Sequence, residues 1–259
     1  MKTRKHGILF GGVAAMIFLA FPVFAQPPGY SSDDAVSAGV SYKIGLAWGD
    51  QMQPSQFGMK AVTNLQRAAS QAGLPITAGD QIRLSSANLE EYAVIFVITD
   101  AQFQLSDTEK KKLRDFVNRG GMIVLDDPNA AMPASQSLAS MKQMIDDVTG
   151  KKRLQMIKND HVIYRTPNRL DGPPMGADTS MTTVGKTLDR SNNTYLDNKV
   201  DSGRGSTLEG VTSGDRLTML LTSKGYAPKW SEYSNNDPQM KFGVNIIAYA
   251  VAQKKAARK

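Results

Sequence analysis

The chain has 259 residues, 41% of them hydrophobic, with 31 basic and 24 acidic side chains and a formal charge of +7. That length and apolar content can bury a full core, while the complete lack of cysteine excludes thiolate chemistry and any disulfide framework. The charge sits at the two ends, on Lys2, Arg4 and Lys5 and on Lys254, Lys255, Arg258 and Lys259, so the body is neutral and has no electrostatic footprint for nucleic acid.

Residues 1–25 read as an export signal. A basic start precedes the apolar run Ile8 to Phe21, and Val23 and Ala25 present the small residues that a signal peptidase reads. Cleavage after Ala25 is expected, with a periplasmic or secreted location. The bland alternative is an uncleaved anchor, the sole membrane attachment expected, but the run is short for a span and Pro22 interrupts its end. Residues 26–40 read as a flexible leader, and 41–253 as one α/β domain.

Within that domain Tyr42 to Trp48 is the first strand, followed by Gly49 and Asp50. Phe57, Ala61, Leu65 and Ala69 give helical spacing over Pro54 to Ala72, closed by Gly73 and Pro75. Ile82 to Leu84 is a short strand, and Asn88 to Tyr92 a turn of helix. Val94 to Thr99 is a continuous apolar run of the kind a strand covered on both faces requires, closed by Asp100. Ser106 and Glu109 form a capping box that opens a helix with Leu113, Phe116 and Val117 on its inner face; Gly120 and Gly121 end it. Met122 to Leu125 is the next buried strand and delivers Asp126 and Asp127 to its carboxyl end, where open α/β sheets place their ligands.

A further helix is expected over Ser135 to Val148, a strand over Leu154 to Ile157, and another over Val162 to Tyr164 after His161. Residues 175–207 form a polar excursion, with a small hairpin as one option and a functional lid as the other. Leu208 to Val211 and Leu217 to Thr222 make a hairpin. Asp237 as N-cap and Pro238 open the last helix, with Phe242, Ile246, Ile247 and Ala250 inward. Residues 254–259 read as a basic tail, better taken as a solvated and fraying helix end than as a specific anion-binding segment.

Four segments in order, VITDAQFQLSDTEKKKLRDFVNRGGMIVLDD, NDHVIYRTPNRLDGPP, LEGVTSGDRLTMLLTSKGYAPKW and MKFGVNIIAYAVA, resemble the bacterial family known as domain of unknown function 4159, over roughly Tyr42 to Gln253. The resemblance implies a flavodoxin-like three-layer sandwich, similar to class I glutamine amidotransferases, with a mostly parallel central sheet plus a C-terminal hairpin and helix. Amidotransferases of that kind use a cysteine at a strand-to-helix elbow, paired with a histidine. This chain has no cysteine, so the resemblance carries a fold and no glutaminase. The stretch 175–207 is also longer than the family pattern between DGPP and LEG.

The catalytic candidates are Asp100, Asp126, Asp127 and His161. Carboxylates at strand ends can hold Mg²⁺ or Ca²⁺, with Asp126 and Asp127 the ligands if any metal binds, or can divide acid and base roles. Their bland role is to accept amide hydrogens from the next turn. His161 can be a general base, or can cap a backbone group before the following segment. For ligand binding the candidates are Asp50, Asp100, Asp127, Asn129 and Trp230; Tyr226, Trp230 and Tyr233 either line a carbohydrate or peptide groove or cover the sheet edge. No Gly-x-Ser-x-Gly elbow, P-loop or dinucleotide fingerprint occurs. The expectation is an exported, non-catalytic binding or assembly module of the cell envelope, whose partner is an envelope protein or a small ligand and which needs no cofactor. The alternative is a carboxylate- and histidine-dependent hydrolase, helped by a divalent cation, and a third option is a purely structural envelope protein.

Overall fold

The computed structural model describes residues 41–85, 87–129, 135–177, 187–189, 194–196 and 208–258. A seven-stranded sheet runs in the order β2 (Ile76–Arg83), β1 (Tyr42–Trp48), β3 (Tyr92–Ile98), β4 (Met122–Asp126), β9 (Arg216–Thr222), β8 (Leu208–Ser213), β5 (Gln155–Ile157). The first five in that order are mutually parallel, and the β8–β9 hairpin and β5 add an antiparallel edge. Every residue of β3 and β4 is buried. At roughly 2 kcal/mol per fully buried aliphatic or aromatic side chain, these central strands contribute substantially to the stability of the fold.

Two cores cover the two faces. One packs α1 (Gly58–Gln71), α4 (Tyr226–Ser231) and α5 (Asp237–Ala256) over Ile44, Phe96, Val124 and Leu220. The other packs α2 (Asp107–Asn118) and α3 (Gln136–Thr149) over Ile95, Val97, Ile123 and Leu221. Successive strand residues alternate between these cores because strand side chains alternate faces. The chain is thus a three-layer α/β sandwich with a mixed, mostly parallel sheet. Among the described residues no helix is long and apolar enough to cross a membrane.

Several boundaries differ from the sequence expectation. The first helix begins at Gly58, not near Pro54, because Ser55 donates its amide to Ile98 O at 2.8 Å and holds the preceding segment across the sheet. The second strand covers Ile76–Arg83, far more than three residues. Its polar stretch hides an edge strand in which Gly79 passes so close to β1 that a Cβ there would stand 1.9 Å from Ile44 O. Asn88 to Tyr92 is no helix but a turn, in which Asn88 Oδ1 accepts the Glu90 amide at 3.1 Å. Val162–Tyr164 is a 3₁₀ turn, not a strand. The last helix takes Asn236, not Asp237, as its N-cap.

The capping box is present as expected, with Ser106 accepting the Glu109 amide and Glu109 accepting the Ser106 amide. Thr187–Asp189 pairs antiparallel with Thr194–Leu196 inside the polar excursion. The rest of that excursion from 178 to 207 lies outside the described residues, as do residues 1–40, where the export signal and leader are expected. The basic end is no solvated tail throughout. Helix α5 runs to Ala256, and Lys254 is only 2% exposed.

Candidate functional site

Strand order sets where a ligand has room. The chain passes from β1 outward to β2 and from β3 outward to β4 on opposite sides, so the direction of winding reverses between β1 and β3. In such sheets a crevice opens at the carboxyl ends of the strands flanking the reversal. Asp50 follows β1 and Asp100 follows β3, which puts both at this crevice.

Glu109 ties the end of β1 to the start of α2 beside it. This fully buried carboxylate accepts the Asp50 amide at 2.9 Å through Oε1, and the Ser106 amide and hydroxyl at 2.8 and 3.0 Å through Oε2. Gly49 makes room for it: a Cβ on Gly49 would meet Oε1 at 2.6 Å. The sequence identified Glu109 only as half of a local capping box; its bond to a residue 59 positions away leaves no local signal. Asp50 turns outward to Arg83 and Ser85, whose bonds of 2.9 to 3.1 Å hold its carboxyl below the usual carboxylate range.

Asp126 and Asp127 diverge across the sheet as pleating requires. Asp126 points toward α4, whose N-cap Gly225 has no side chain to offer and sits at φ 63°. Its Oδ1 accepts the Tyr226 amide at 2.9 Å and the Thr222 hydroxyl at 3.0 Å, and its Oδ2 accepts the Ala227 amide at 2.7 Å. The carboxylate is therefore the missing cap, supplied from 100 residues upstream. Burial pushes its pKa up to about 7 against these three donors, with the neighbouring Asp127 pushing the same way.

Asp127 faces α3. Its Oδ1 accepts the Asn129 amide at 3.0 Å and the Ser137 hydroxyl at 2.8 Å, whereas Oδ2 is buried without a hydrogen-bond partner among the described residues. Asn129 then reaches across to Asp100 O at 3.4 Å, so Asp100, Asp127 and Asn129 share one loop cluster. Asp100 is exposed there.

His161 and Trp230 are elsewhere. The His161 Nδ1 accepts the Ile163 amide at 3.2 Å, capping the 3₁₀ turn, and its ring packs edge-on against Tyr249 at 5.5 Å. Burial lowers its pKa, against the charge of Asp160. Tyr249 Oη accepts the Leu217 amide at the start of β9, whereas Asp126 bonds Thr222 at its end. At ~3.3 Å per residue those two ends are roughly 17 Å apart. Trp230 is fully buried, stacked on Tyr226 at 5.4 Å and donating its indole N–H to Gln239 O at 2.8 Å. It is core and lines no groove. Of the three aromatics, Tyr233 alone is exposed, with Lys60 Nζ 4.0 Å above its ring.

Among the described residues no group of three or more histidine, cysteine, aspartate and glutamate side chains is placed to hold a metal ion. A family model described as "Domain of unknown function (DUF4159)" matches residues 38–251. No curated protein matches the chain.

Proposed function

The chain belongs to this family of domains of unknown function, and from that premise we propose that it is an exported, non-catalytic binding module of the bacterial cell envelope, taking its ligand or partner at the β1–β3 crevice. One observation carries the non-catalytic reading. The acid and base candidates do not all converge: Asp126 is consumed by three donors and His161 caps a turn at the other end of the sheet, which leaves Asp100 and Asp127, linked through Asn129, apart from it. A general acid or base must reach a substrate proton within hydrogen-bond distance. Among the described residues, the cluster of Asp100, Asp127 and Asn129 at the carboxyl ends of β3 and β4 keeps polar capacity to spare, on the exposed Asp100 and on Asp127 Oδ2. The export reading rests on the first 25 residues, and N-terminal mass spectrometry of the secreted protein should find Gln26 first; a retained Met1 overturns it.

A hydrolase acting through Asp127 is favoured by a single feature, the unpartnered Oδ2 beside Ser137. Purified protein beginning at Gln26, assayed on activated esters, amides, glycosides and phosphate esters with and without millimolar Mg²⁺ or Ca²⁺, separates the two. No turnover supports the binding module; turnover that disappears in Asp127→Asn establishes the enzyme.

A further inference from the structure

A second cleft of about 340 Å³ lies between α2, the β2–β3 connection and the end of α5, at the amino edge of the sheet and away from the β1–β3 crevice. Its apolar wall is formed by Leu89 and Phe116, and Lys112, Arg119 and Lys254 supply its positive charge. Lys254 distinguishes it from an ordinary basic surface. This residue is 2% exposed, lies with Nζ 5.4 Å from the centre of the Phe116 ring, and takes no hydrogen bond or ion pair among the described residues. Lysine is almost never buried to that extent unless paired.

The surroundings reinforce the sign. Burial lowers the Lys254 pKa to about 8, and the charges of Arg258, Arg119 and Arg216 push it the same way. Arg216, at the start of β9, itself keeps Nη1 buried without an acceptor among the described residues. The acids at the cleft are Glu90, already paired with Arg119, and the exposed Asp115 on the rim. Lys112 gives one of its three hydrogens to Ala87 O at 3.1 Å and keeps two to offer.

We propose that this cleft binds a small organic anion, a carboxylate or phosphate carried on a single apolar ring or branched body, with the charged head on Lys254 and Lys112 and the apolar part against Phe116 and Leu89. The volume is at the lower end of small-ligand sites, which suits a one-ring compound. The ring of Phe116 forms the platform, and Asp115 at the rim disfavours a second negative charge pointing outward.

The test uses the soluble chain with benzoate and phenyl phosphate as probes, in calorimetric titrations near pH 8 in two buffers of different ionisation enthalpy. An anion on Lys254 favours its charged form, so binding should take up protons, with heats that differ between buffers, and affinity should weaken above pH 8. Lys254→Met fills the same volume and packs on the same ring; it should lose binding at least tenfold, while Lys254→Arg retains it. Preference between the two probes tells whether the natural ligand carries a carboxylate or a phosphate. Absence of binding to either at millimolar concentration, binding without proton uptake, or a folded Lys254→Met protein that binds like the parent would each overturn the proposal.

Discussion

The two edges of the central sheet bury charge in opposite ways. At the carboxyl edge lie three fully buried acids, Glu109, Asp126 and Asp127, and five of their six oxygens accept hydrogen bonds, mostly from backbone amides of loops and helix starts. At the amino edge Lys254 is buried to a similar degree and has no acceptor among the described residues, and Arg216 has a buried nitrogen with none among them. Residue type alone drew attention to the first edge, since aspartates at strand ends are where α/β sheets keep ligand groups. Partners reverse the emphasis. A buried acid whose oxygens cap helices is architecture, whereas a buried cation beside an open cleft has bonding capacity left for something else.

Asp126 provides the harshest way to break that contrast. If it is a cap, Asp126→Ala strands the Tyr226 and Ala227 amides and the Thr222 hydroxyl; at about 1–3 kcal/mol for each buried donor, the loss is roughly 3 kcal/mol or more. Urea unfolding should show a greatly lowered midpoint or no folded protein, and a midpoint near the parent's would remove the structural reading. Its pH dependence has a definite sign. A carboxyl raised to about 7 in the folded state binds more protons than its unfolded form, so its contribution is complete below the unfolded pKa near 4 and declines as pH rises through 7. Asp126→Asn should flatten that limb of the stability profile.

Glu109 predicts a smaller effect of the same kind. In Glu109→Gln one of the amides now held by a carboxylate oxygen faces an amide nitrogen, which costs about 2 kcal/mol. Gly49→Ala should cost a similar amount by pushing a methyl into the same oxygen, and the double variant should cost less than the sum if both act on one contact. Additive losses in thermal or chemical unfolding would show that Gly49 is constrained by something else.

Legibility in the sequence followed the range of the interaction. Apolar runs wrote out β3 and β4, and the Ser106 to Glu109 spacing wrote out the start of α2, because those elements are decided by neighbours a few residues away. Helix α4 was invisible: Gly225 cannot cap it, Pro228 lies within it, and the cap arrives from Asp126 on another strand. Trp230 stayed open between a groove residue and cover for the sheet edge for the same reason, since its burial depends on Phe96, Tyr226 and Gln239, none of which periodicity can associate with it. Lys254 was hidden by its neighbours in sequence, as one of several basic residues near the end of the chain that local pattern reads as solvated.

Lys254→Met tests the amino edge with the opposite sign. An ammonium held near 8 in the fold and near 10.5 in the unfolded chain makes its stabilising contribution above the unfolded pKa and loses it as pH falls through 8. At pH 7 the buried charge therefore weakens the fold, and replacing it with methionine should raise the melting temperature by a few degrees, since apolar replacement of a poorly compensated buried charge is neutral to stabilising. Above pH 10.5 the gain should shrink toward zero. A variant that melts lower than the parent at pH 7 would mean that the ammonium makes a favourable contact in the fold.

Asp127 is where the contrast between the edges is weakest, and it predicts the smallest change in stability with the most to say about function. One of its oxygens is architectural, bonded to Asn129 N and Ser137 Oγ, while the other is buried and without a partner among the described residues. Asp127→Asn can keep its carbonyl oxygen on the first pair and place its amide where the unpartnered oxygen stood, so the cost should stay within about 1 kcal/mol. What the substitution removes is charge. If the cluster with Asp100 and Asn129 holds Mg²⁺ or Ca²⁺, millimolar ion should raise the melting temperature of the parent and leave the variant unmoved, because a neutral amide is a far poorer ligand for a hard cation than a carboxylate. If the cluster only ties β4 to the β3 loop, neither protein responds to either ion, and the two melting curves remain close together. The binding-module reading expects the second outcome, and an ion-dependent shift lost in Asp127→Asn would move the centre of the protein's chemistry back to the carboxyl edge.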